Sequence, residues 1–106
     1  MNLIHCNTTP IFGTPKIKGN CGYGFYLAKS IKVAKTFGDI VTRYKVTPKN
    51  TLCFYDNEIK GKGFFNMDKI TFDNYISLGY DSLAWYKNGK LQEFIALNTN
   101  ILEIIY

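Results

Sequence analysis

His5, Tyr26 and Glu93 are the residues of this chain whose types and order could do chemistry together. Glu93 brings fixed negative charge and accepts hydrogen bonds. Tyr26 offers a flat aromatic face, which suits a flat cationic group. It follows Gly22 and Gly24, whose missing side chains let the backbone turn sharply and come close to a ligand. Taken singly, each has a plain structural reading: a strand histidine in the core, a glycine turn, a solvated carboxylate.

The elements that must position these residues follow from period and punctuation. Residues 2–6 read as a first strand holding His5. Pro10, Gly13, Pro15 and Gly19 then forbid a regular element over 7–22, a long and therefore functional type of loop. A second strand over 24–28 holds Tyr26. Ser30 suits a helix N-cap, Ile31, Val33, Ala34 and Phe37 give the helix one apolar face, and Gly38 stops it. Strands are expected over 40–46 and 51–55, with a turn at Pro48, Lys49 and Asn50, and a Gly-, Lys- and Asn-rich loop over 56–67. A second short helix spans 68–78, ended by Gly79. Strands over 80–86 and 91–97 flank Asn88-Gly89, a type I′ hairpin signal, and a last strand runs over 101–106. Two crossover helices are too few for a doubly wound sheet, so the fold class is α+β, mostly antiparallel, with two short helices.

At 106 residues the chain is one domain, 1–106, and its 46% hydrophobic and 16% aromatic content supports a packed core. The formal charge of +5 suits an anionic partner, and scattered lysines also serve solubility. Cys6, Cys21 and Cys53 form no CxxC pair, and one histidine builds no zinc site. Reduced thiols, no signal peptide and no span-length apolar run lead us to expect a cytoplasmic protein with no membrane and no metal.

Four stretches carry a resemblance. They are Leu3-Ile4-His5-Cys6-Asn7-Thr8, then Gly22-Tyr23-Gly24-Phe25-Tyr26-Leu27-Ala28 with Ser30 and Ala34, then Leu78-Gly79-Tyr80-Asp81-Ser82-Leu83, and last Gln92-Glu93-Phe94-Ile95-Ala96-Leu97-Asn98 with Ile101. In this order they resemble the ADP-ribosyltransferase superfamily, on the His-Tyr-Glu side typified by diphtheria toxin and the poly(ADP-ribose) polymerases. The chain looks closest to small bacterial or viral members, and the resemblance covers nearly its whole length.

The resemblance implies split, mostly antiparallel β-sheets and an NAD-dependent mono-ADP-ribosyltransferase. Such an enzyme transfers ADP-ribose to a macromolecular acceptor, protein or nucleic acid, and releases nicotinamide. NAD is then the co-substrate, the chain is a monomer, and the host cytoplasm is its place if it is viral or a delivered effector. By the same resemblance Glu93 is catalytic, bonding the nicotinamide-ribose 2′-hydroxyl and supporting an oxocarbenium-like transition state. His5 holds the adenosine-side ribose, Tyr26 stacks on nicotinamide, and Gly24 gives room. Ser30 lies near the nicotinamide pocket or only caps the helix. Phe37 is a second stacking ring or a core residue. Cys6 stands where the family often has Gly, and its side chain would crowd or tune the pocket. Lys16 and Lys18 could meet the diphosphate. Trp85, Tyr86, Lys87 and Gln92 belong to the acceptor-recognition turn, where aromatic and basic groups together suit a base and its phosphate.

Departures narrow the reading. His5 in the first motif, and Leu91 two residues before Glu93, disfavour arginine modification. Arg43 is the only arginine, which disfavours a tRNA 2′-phosphotransferase. The alternative is a non-catalytic binder of NAD or ADP-ribose that keeps the fold.

Overall fold

The computed structural model describes residues 1–7, 18–19, 22–34, 40–56 and 67–105. Nine strands are present: β1 Asn2–Asn7, β2 Lys18–Gly19, β3 Gly22–Tyr23, β4 Phe25–Leu27, β5 Ile40–Val46, β6 Thr51–Tyr55, β7 Ser82–Lys87, β8 Lys90–Ala96 and β9 Leu102–Ile105. A single helical turn, α1, spans Ile31–Ala34, and the longer helix α2 spans Lys69–Ser77. A 3-10 turn at Thr99–Ile101 leads into β9. The fold is α+β and mostly β.

The strands form a three-stranded sheet in the order β1-β5-β9 and a four-stranded sheet in the order β4-β8-β7-β6. Every pair is antiparallel except β6 and β7, which α2 separates in sequence. The expected loop over 7–22 needs correction, because Lys18–Gly19 pairs with Gly22–Tyr23 as a short ribbon. Pro and Gly density hides such a ribbon, since two-residue strands leave no period to read. The other expected strands and the helix over 68–78 stand close to their observed bounds, β5 and β6 coincide with them, and the expected end of the first helix at Phe37 and Gly38 and most of the loop over 56–67 lie outside the described residues.

Alternation along the strands divides the apolar residues into two layers. Leu3, Tyr44 and Val46 from one sheet, with Ile101 from the 3-10 turn, meet Phe25, Leu27, Ala84, Phe94 and Ala96 from the other, forming the inner core. The opposite face of the four-stranded sheet carries Leu83 and Ile95. Met67 and Phe72 cover it, with Tyr26, Leu52, Phe54 and Tyr75 packed alongside. Phe72 is the one buried residue of α2. Asp68 caps that helix by accepting from the Thr71 main-chain N–H at 2.7 Å, and Gly79 at φ +92° takes the left-handed turn after it.

The two sheets touch edge to edge at one place. Ile4 and Ala28 exchange both main-chain hydrogen bonds at 2.8 Å. Among the described residues this is the one main-chain bridge between β1 and β4, and the His5 side chain bonds across beside it.

Candidate functional site at the sheet seam

His5 is the residue of β1 that follows the bridge. A carbonyl only accepts, so His5 Nδ1–H donates to the Tyr26 main-chain oxygen, at 2.6 Å. The imidazole ring stacks on Phe25 with centroids 4.0 Å apart and planes at 22°. Burial pushes the His5 pKa below its ordinary value, and the bond to the Tyr26 carbonyl opposes that in part. A neutral ring with its proton on Nδ1 leaves Nε2 as an acceptor.

Tyr26 lies on β4 opposite Ile95 of β8, half-buried, with its ring against the outer cluster of Met67, Phe72, Leu83, Ile95 and Leu97. The β4–β8 pairing ends with Leu27 opposite Phe94, and Glu93 is the next residue of β8 beyond it. Glu93 is half-buried and directly opposite Trp85 on β7. Counting two residues from Ile95 puts Glu93 on the face that carries Tyr26, a diagonal neighbour at about 7–8 Å between Cα positions. Arg43, Ile4 and Ala28 stand in one row at the seam, and Glu93, Trp85 and Phe54 in one row of the four-stranded sheet. Tyr26 and Glu93 share a face. The His5 ring lies on the Phe25 side of β4 and meets Tyr26 at its main chain.

Gly24 has φ +97°, a conformation that favours glycine. A Cβ there would stand 2.5 Å from Cγ2 of Ile95. The glycine is accounted for by close packing on β8, where the sequence alone suggested room for a ligand. Ser30 is exposed immediately before α1. Of Cys6 the main chain is described, paired with Val41, and Phe37 and Lys16 lie outside the described residues.

The β7–β8 hairpin carries the remaining site residues. Asn88 and Gly89 have φ +52° and +76°, as a type I′ turn requires. Lys87 stands opposite Lys90, Tyr86 opposite Leu91, and Trp85 opposite Glu93, so Gln92 is the extra residue of a bulge. The bulge turns Leu91 into the inner core beside Tyr86 while Glu93 stays on the outer face. Gln92 is half-buried and its amide lies 3.5 Å from the Lys90 carbonyl. Trp85 and Tyr86 are half-buried and, by alternation along β7, lie on opposite faces.

Asp56, which sequence reasoning missed, organises this corner. Its carbonyl accepts from Trp85 Nε1 at 2.9 Å, and its carboxylate accepts from the Asn88 N–H at 2.9 Å. An acidic residue opening a Gly- and Lys-rich stretch gave no signal of this. Phe25 was equally silent: nothing in the chain marks which aromatic a histidine will stack on. Among the described residues no cluster of three or more His, Cys, Asp or Glu could hold a metal ion, and no helix is long and apolar enough to cross a membrane. No protein-family model matches the chain, and a search of curated proteins finds no match.

Proposed function

We propose that the chain is an NAD-dependent mono-ADP-ribosyltransferase with an ADP-ribosyltransferase-like split-sheet fold. The observation that carries this reading is the convergence of three strands at the seam. His5 follows the Ile4–Ala28 bridge on β1, Tyr26 precedes it on β4, and Glu93 lies beside it on β8. The sequence motifs are far apart along the chain, and the nearness of their strands at this seam is what supports the reading.

The donor set suits NAD. Glu93 is an acceptor for a ribose hydroxyl and Tyr26, on the same face, is an aromatic surface for a flat cationic ring, while His5 stands on the Phe25 side of β4 and bonds its main chain. NAD would supply a ribose whose bond to nicotinamide gains positive character as it breaks. Glu93 holds negative charge at that place, and half-burial strengthens its effect relative to water. Its strand position opposite Trp85 means that little reorganisation is needed. Tyr26 orients the leaving ring, and His5 fixes the β4 main chain on which Tyr26 sits.

Labelled NAD incubated with the protein and a cell lysate tests the reading beside Glu93→Gln. Nicotinamide release and a labelled acceptor are expected from the wild type, with release at least about 100-fold slower from the variant. No release from the wild type overturns the enzyme, and NAD binding without release would make the chain a binder.

A further inference from the structure

We infer that the face carrying Glu93 accepts a single-stranded nucleic acid, held by the Lys87–Lys90 pair and Trp85; as an acceptor site this rests on the transferase reading. Lys87 and Lys90 stand directly opposite each other in the ladder. Like charges in register repel, so the arrangement is unfavourable until an anion lies between them. Alternation puts Lys87 on the face of Trp85, two residues further along β7, about 7 Å away. Glu93 is the direct partner of Trp85. A phosphate on the two exposed lysines is thus one nucleotide's reach from the carboxylate, with an indole between them.

The indole is held in place. Asp56 O fixes Trp85 Nε1, and that same residue's carboxylate is engaged by the Asn88 N–H. A fixed, half-buried aromatic beside a cationic pair is the arrangement on which a base stacks while its phosphate is neutralised. Tyr55, stacked on Tyr86 with centroids 5.8 Å apart and planes at 21°, lies on the other face of the sheet and takes no part. A duplex keeps its bases paired and offers the indole no base to stack on. An acidic protein would use the lysines and have no need of the indole.

Fluorescence anisotropy tests this without NAD, using labelled 20-nucleotide DNA and RNA single strands, a duplex, and an acidic peptide. The single strands are expected to bind most tightly. Lys87→Ser with Lys90→Ser should weaken them at least tenfold and flatten the salt dependence by about 1.4 in log–log slope, for two lost phosphate contacts. Lys87→Arg with Lys90→Arg should restore binding. Trp85→Leu should weaken the single strands and leave the peptide unchanged. Tighter binding of duplex or peptide, or a lysine variant that binds single strands like the wild type, overturns the inference. Nicotinamide release, measured separately, reports on the transferase reading, so a protein that releases nicotinamide and binds no single strand fails this inference alone.

Discussion

His5 donates from Nδ1 to the carbonyl oxygen of Tyr26 across the seam between the two sheets, at 2.6 Å. The bond joins two of the three motif residues and makes the imidazole part of the backbone scaffold. Its pKa lies below the ordinary 6.5, through burial first. The unfolded chain therefore binds a proton that the folded chain resists, and stability rises with pH across that interval. The contribution is complete above pH 6.5 and is lost as pH falls through the folded value. Denaturant unfolding between pH 8 and 5 should show stability falling below pH 6.5, and His5→Phe should remove that component of the slope. A variant with the wild-type slope would assign the pH dependence elsewhere.

Trp85 is the chain's single tryptophan and stands opposite Glu93. Its fluorescence is therefore a reporter of this face alone. Titration with NAD should change the emission in the wild type and in Glu93→Gln. Unchanged emission at NAD concentrations that support nicotinamide release would move the nicotinamide end away from Trp85.

Gly24→Ala would drive a methyl against Ile95 Cγ2, within a fully buried β-branched side chain that has no rotamer to yield. Overpacking costs about 1–3 kcal/mol, and the positive φ adds about 1–2 kcal/mol. Thermal denaturation should show the loss in an apo sample. An alanine variant of wild-type stability that fails only in NAD binding would reassign the glycine to the ligand.

Asp56 has φ +47° and accepts from the Asn88 N–H. Asp56→Asn keeps an acceptor and tolerates the left-handed backbone, so it should unfold like the wild type. Asp56→Val loses both, at about 2 kcal/mol, and should broaden the Trp85 emission as the indole loses its fixed carbonyl. Equal stability of the two variants would remove Asp56 from the turn.

Much of the fold was legible because its strands obey simple rules. Ile40–Val46 alternates, Thr51–Tyr55 is bounded by turn residues, and Asn88-Gly89 can take the two positive φ angles it adopts. Partners were not legible, because period 2 says which side a residue faces and nothing about its neighbour. The parallel β6–β7 pair, the Tyr23 N–H donating to the Met67 carbonyl at 2.9 Å, and the Gln92 bulge are long-range or irregular. The same limit governs the candidate site. Residue types singled out His5, Tyr26 and Glu93, while the side each takes was set by register. Glu93 and Tyr26 fall on one face because Ile95 stands opposite Tyr26. His5 turns to Phe25 because Leu3, two residues earlier, points into the inner core.

The Ile4–Ala28 bridge has a mechanical consequence. His5 belongs to one sheet and Glu93 to the other, and two main-chain hydrogen bonds clasp the edges between them. The span from imidazole to carboxylate is thus a property of how two sheets are pinned. Ile4 and Ala28 act as the rivet of a pair of shears, with His5 on one blade and Glu93 on the other.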